Sequence, residues 1–176
     1  MGRVLAVVNQ KGGVGKTTTV VNLAAGLGEK KRRVLAVDSD PQGHLSLSLG
    51  WKRGGGGPTV YELLMGGERA AQEAVVATEV GGVDLLPATA DLAGAEVQLA
   101  EVEERHGRLA RVVEEAGSGY DFVLIDCPPS LSLLTVNALV AAQGLLVPLE
   151  CSYLATQGLR ELMDTWERVR EAFNPE

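Results

Sequence analysis

Short apolar runs rich in Val, Leu and Ile recur along the chain: RVLAVV at 3–8, RVLAVD at 33–38, VDLLP at 83–87, FVLID at 122–126 and GLLVPL at 144–149. Runs of this length without polar alternation predict strands buried on both faces. Between them, residues 16–30, 91–116, 131–142 and 155–173 carry apolar positions at helical spacing, the second segment with a break expected near Gly107. The alternation predicts an α/β fold: a mostly parallel sheet with helices on both faces, joined by right-handed crossovers.

Two stretches interrupt that rhythm. GWKRGGGGPTVYELLMGGE at 50–68 holds four consecutive glycines, which predict a surface loop rather than a regular element. Thr59 and Glu62 behind it have capping-box spacing, so a short helix is expected from Val60 onward. At the other end, Asn174 and Pro175 stop a helix that would normally feed another strand. The sheet is therefore expected to be C-terminally incomplete, whether the chain is a piece of a longer one or a naturally short variant.

Composition narrows the class. A chain of 176 residues, 45% of them hydrophobic, suits a single folded domain over 1–176. A net charge of −7 argues against a generally basic nucleic-acid surface. The one dense basic cluster, EKKRR at 29–33, reads as a solvated helix end whose cations suit the C-terminal dipole. No signal peptide and no apolar run of about 20 residues is visible, so a cytoplasmic location is expected. Cys127 and Cys151 lack metal-type spacing and are expected to be reduced, mostly buried thiols. His44 and His106 are expected to be exposed, and Trp51 and Trp166 to serve packing.

The chemistry concentrates in NQKGGVGKTTTVVNLA at 9–24, which follows the first strand and opens a helix. This is the strand-loop-helix context of a phosphate-binding loop. Gly12, Gly13 and Gly15 let the backbone curl around phosphate oxygens, and the helix-start amides attract their charge. Lys16 would neutralise the β and γ phosphates, and Thr17 offers a hydroxyl to Mg²⁺. The first glycine of the usual pattern falls at Gln10, so the run stands as K-G-G-V-G-K-T, with a second lysine, Lys11, inside it. Asp126 ends a buried strand, as a Walker B aspartate does, where it can hold a metal-bound water; its bland alternative is a helix cap. DSDPQG places Asp38 and Asp40 at the end of the second strand, two carboxylates that need not share a job. Pro41 and Gly43 suit a turn there.

The K-G-G-V-G-K-T loop, VLAVDSDPQG at 34–43, LLPATADLAGAEVQL at 85–99, YDFVLIDCPPSLSLLTVNAL at 120–139 and VPLE at 147–150 together resemble the ParA/MinD family of deviant Walker A P-loop ATPases, and within it the chromosomal ParA, or Soj, branch. The resemblance spans essentially the whole chain, short of the family's C-terminal region. It implies a Mg²⁺-dependent ATPase, slow and partner-stimulated, whose ATP-bound homodimer acts in plasmid or chromosome partitioning with a ParB-like stimulator. It implies nucleotide contacts from Lys11, Gly12, Gly13, Val14, Gly15, Lys16, Thr17 and Thr18, with Lys11 reaching the phosphates of the partner subunit. It places Thr17, Asp38 and Asp126 around the metal, Asp38 in its outer shell, and gives Asp40 the attacking water. DCPPSLSLL at 126–134 resembles switch II, and an iron-sulfur role for Cys127 is rejected. Nonspecific DNA binding is implied by the resemblance and unsupported by the charge. Two alternatives stand beside this reading: a non-hydrolytic nucleotide-binding regulatory module, and a MinD-like division-site ATPase, for which no basic membrane helix is seen.

Overall fold

The computed structural model describes residues 2–52, 57–67, 70–151 and 153–174. The expected glycine loop lies largely outside the described residues. The elements are β1 Arg3–Val7, α1 Lys16–Glu29, β2 Val34–Asp38, α2 His44–Ser48, α3 Val60–Leu64, a 3-10 turn at Ala71–Ala74, β3 Val76–Ala77, β4 Val83–Leu86, α4 Leu92–Leu99, α5 Arg108–Ala116, β5 Phe122–Asp126, α6 Leu133–Ala141, β6 Gly144–Leu146 and α7 Tyr153–Phe173.

One six-stranded sheet runs in the order β3-β4-β2-β5-β1-β6. Every pairing is parallel except β3 with β4. β2 is buried along its whole length, as its unbroken apolar run predicts. One face carries α1 and α2 over Val7, Val34, Ala36 and Leu124; the other carries α3 to α7 over Val4, Leu35, Val37 and Ile125. Truncating a fully buried leucine such as Leu124 costs about 2–5 kcal/mol, so the central strands hold the site's foundations firmly.

The helical segment predicted at 91–116 breaks where expected, into two helices with residues 100–107 irregular between them and Gly107 at the start of the second. The break is fixed from outside: Asn137 on α6 accepts the Leu109 N–H at 3.1 Å and donates to Arg105 O at 2.7 Å, capping the start of α5. β6 ends at Leu146, short of the predicted 149, ahead of Pro148, which has no N–H to offer a ladder. The capping box expected at Thr59 forms, the Glu62 carboxylate accepting the Thr59 N–H at 2.7 Å. Asn174 closes the other end by donating to Val140 O and Ala142 O at the end of α6.

Three side-chain expectations change. Cys151 is exposed, and only Cys127 is buried. His106 is half-buried, its ring 4.9 Å from that of Phe173 on α7. The cations of EKKRR follow the last turn of α1 rather than lying in it, and Arg33 sits over the Tyr120 ring.

Candidate functional site

The loop 8–15 leaves the C-terminal end of β1 and turns into α1 beside the ends of β2 and β5, where ligands of open parallel sheets bind. Gly13 and Gly15 have φ of 75° and 89°, the left-handed region that disfavours side chains. A Cβ built on Gly12, Gly13 or Gly15 would meet no protein atom within 4 Å, so the inner wall of the curl is open. Lys11, Gly12, Gly13 and Thr18 are exposed, while Val14, Gly15 and Thr17 are half-buried. Lys16 is buried, 7% exposed, and its ammonium donates to Lys11 O at 3.1 Å, folding back across the loop. Burial lowers its affinity for a proton, against the opposing fields of Asp126 and Asp40.

Asp38 and Asp126 are register partners on adjacent strands, both fully buried. Asp126 Oδ2 accepts the Thr17 hydroxyl at 2.6 Å; its Oδ1 is buried with no partner. Burial pushes its pKa up to about 7, opposed by the Thr17 hydrogen bond and reinforced by Asp38 and Asp40. An orphaned, fully buried carboxylate oxygen at the root of an open glycine loop fits a cation, or a cation's water, which would satisfy it. Asp38 differs. Its Oδ2 accepts both the N–H and the hydroxyl of Ser46, at 2.8 and 2.6 Å, and its Oδ1 accepts the Asp40 N–H at 3.2 Å. Burial still outweighs these bonds and raises its pKa to about 6.

Asp40 lies just beyond the strand, 8% exposed, on the turn expected from Pro41 and Gly43: Gly43 N–H donates to Asp40 O, and Gln42 N–H to Asp40 Oδ1, both at 2.9 Å. Gly43 has φ 67°. Cys127, directly after Asp126, has its thiol pushed far upward by burial and by the Asp126 charge, so it carries no thiolate. Among the described residues no group of three or more His, Cys, Asp or Glu gathers into a protein-only metal cluster. Any cation here would draw most of its ligands from phosphate and water.

The structure thus brings Lys16, Thr17, Asp40 and Asp126 to one end of the sheet. Lys11 points elsewhere: its ammonium pairs with Glu150 in the segment after β6, and both side chains are exposed. Asn9 ties the same segment to the loop, accepting the Lys11 N–H at 3.0 Å and donating to Pro148 O at 2.7 Å. Sequence reasoning passed over Asn9, Ser46 and Glu150. Asn9 stands in NQKGGVGKTT and Glu150 in VPLE, but nothing in the sequence pairs Asn9 with Pro148 or Lys11 with Glu150, each 139 residues apart; Ser46 gives no signal at all.

An open glycine loop between a strand and a helix, at the end of a parallel sheet, is the phosphate-loop arrangement, and comparison with known proteins agrees on the class. The sequence model of a family described as an AAA domain matches residues 2–176. The chain is 50% identical to the chromosome partitioning protein ParA of Caulobacter vibrioides, over 98% of this chain and 65% of that protein. It is 44% identical to the sporulation initiation inhibitor protein Soj of Bacillus subtilis, over 99% of this chain and 68% of that one. The solved structure of cobyrinic acid a,c-diamide synthase from Mycobacterium smegmatis, with bound ATP analog and magnesium, matches at a TM-score of 0.92 and 46% identity, over 99% of this chain and 71% of the other. The chain belongs to the ParA/MinD family of P-loop ATPases, on its ParA/Soj side. It spans about two thirds of the length of these relatives.

Proposed function

We propose that this chain is a Mg²⁺-dependent ATPase switch of the ParA/Soj type. The observation that carries the reading is the buried Asp126 oxygen left unpartnered beside Thr17 and Lys16, under an open glycine loop. Backbone amides from Gly12 to Thr18, Val14 among them, would line the phosphates, with Lys16 exchanging its bond to Lys11 O for the β and γ oxygens. Thr17 and Asp126 would hold Mg²⁺ and its water, with Asp38 behind them; the ion supplies neutralisation of phosphate charge. Asp40 would orient the attacking water. Lys11 would leave Glu150 and reach the phosphates held by a second copy, so that ATP favours a homodimer.

By the same reading hydrolysis is slow, a ParB-like protein stimulates it, and the cycle serves plasmid or chromosome partitioning in the cytoplasm. The chain's acidity gives no support to a DNA surface among these residues. Among the described residues no helix is long and apolar enough to cross a membrane. The Mycobacterium smegmatis neighbour is named a synthase, but the sequence relatives, the chromosome partitioning protein ParA and the sporulation initiation inhibitor Soj, favour the switch.

Calorimetry and steady-state hydrolysis test the reading together. Lys16→Ala should abolish nucleotide binding. Lys11→Ala should keep binding and lose the ATP-dependent dimer in light scattering, and Asp40→Ala should trap that dimer. Binding without turnover, with DNA and a ParB-like protein present, would instead establish a non-hydrolytic module.

A further inference from the structure

We propose that Ser46 is a positioning residue for hydrolysis, tying the Asp40 turn to the sheet through Asp38. The inference rests on the role given to Asp40 above and extends it to a residue buried behind that turn. The connection is a continuous buried chain of hydrogen bonds. The Ala88 N–H, just past β4, donates to Ser46 Oγ at 3.0 Å. The Ser46 hydroxyl and N–H both donate to Asp38 Oδ2, at 2.6 and 2.8 Å. Asp38 Oδ1 then receives the Asp40 N–H at 3.2 Å. Ala88 and Ser46 are each 1% exposed, Asp38 0% and Asp40 8%, so no water substitutes along the path without opening the core.

Each link fixes the next. The Ser46 hydroxyl has one proton, and Asp38 takes it; its lone pair takes the Ala88 N–H. The serine therefore clamps three segments: the end of β2, the loop beyond β4 and its own helix α2. The Asp40 turn is pinned at its first residue by Asp38, while Gly43 at its far end lies 3.2 Å, measured to a built Cβ, from Ala88 O. The turn is thus tied to the sheet at its first residue, closed on itself by the Gly43 N–H to Asp40 O bond, and packed so close to Ala88 O that a side chain at Gly43 would collide with it. A carboxylate that must place a water to within a fraction of an ångström needs such support.

The test uses the full chain with Ser46→Ala and Ser46→Thr. Ser46→Ala should lower kcat for ATP about tenfold while nucleotide Kd stays within twofold of wild type. Amide hydrogen exchange should quicken at least tenfold at Asp40 and Ala88, with the amides of α1 unchanged. Ser46→Thr, which keeps the hydroxyl, should restore both kcat and protection. If Ser46→Ala does not fold by circular dichroism, Ser46→Cys, a weaker donor of similar size, is read the same way. Wild-type protection at Asp40, or equal losses in kcat and nucleotide affinity, would overturn the proposal. Should the wild-type chain not hydrolyse ATP, the function proposed above fails, and the exchange data alone decide whether Ser46 holds the turn.

Discussion

The tips of β2 and β5 are neighbours in register and end in the same residue type, yet Asp38 and Asp126 live in opposite conditions. Asp38 is saturated: three donors from Ser46 and Asp40 fill a site that opens nowhere. Asp126 holds one hydroxyl and leaves its other oxygen bare. Burial alone does not mark a functional carboxylate, since both are fully buried and both have raised pKa values. What separates them is whether the protein itself completes the shell. Asp38 reads as architecture, and Asp126 as a place kept for something that is not protein.

The largest break in this comparison should come from Asp126→Asn. Loss of the charge facing the metal site should cut ATP hydrolysis at least about a hundredfold, measured as phosphate release at saturating Mg²⁺. In the nucleotide-free protein the same change should raise stability at pH 8 by roughly 1–3 kcal/mol, because a buried charge disappears. Asp38→Asn should fall short of Asp126→Asn by about 1–3 kcal/mol in denaturant unfolding, because its NH₂ must face a donor, either Asp40 N–H or Ser46. Equal stabilities for the two variants would erase the distinction drawn here.

A subtler contrast lies in pH. Asp126 and Asp38 hold protons in the folded protein up to about 7 and about 6. The unfolded chain releases them near about 4, so between these limits the native state binds more protons and stability falls as pH rises. Above about pH 7 the two contributions level off. Thermal melts of nucleotide-free wild type against Asp126→Asn should therefore diverge from pH 5 upward, the variant melting higher. Parallel profiles would refute the raised pKa.

The smallest effect belongs to an exposed carboxylate. Glu150 pairs with Lys11 in solvent, where such a pair contributes little. Glu150→Gln frees the ammonium and should tighten the proposed ATP-dependent dimer by no more than about threefold in sedimentation, a difference that high salt should remove. A tenfold change would mean that the surface pair controls assembly more than its exposure allows.

Local patterns were legible where local physics decides them. The unbroken apolar runs gave β1, β2, β4 and β5 nearly to the residue, and with them the strand-end aspartates. The glycine spacing gave the loop. HLSLS at 44–48 alternates with a period of two and still forms the helix α2, because Leu45 and Leu49 both seat in the core under α1. β3, two residues long, is too short to register as a pattern. The split between α4 and α5 was foreseen at Gly107, but its cause, Asn137, stands 28 residues beyond the Leu109 amide it caps. Pairings across the sheet, Asn9 with Pro148 or Ser46 with Ala88, exist only once the topology is known.

Asn9 carries one last implication. Its amide bolts the entrance of the glycine curl to the stretch just past β6, the oxygen accepting the Lys11 N–H and the nitrogen donating to Pro148 O. The glycine loop is therefore buttressed from beside β6. A shift of that stretch therefore carries straight to the mouth of the loop.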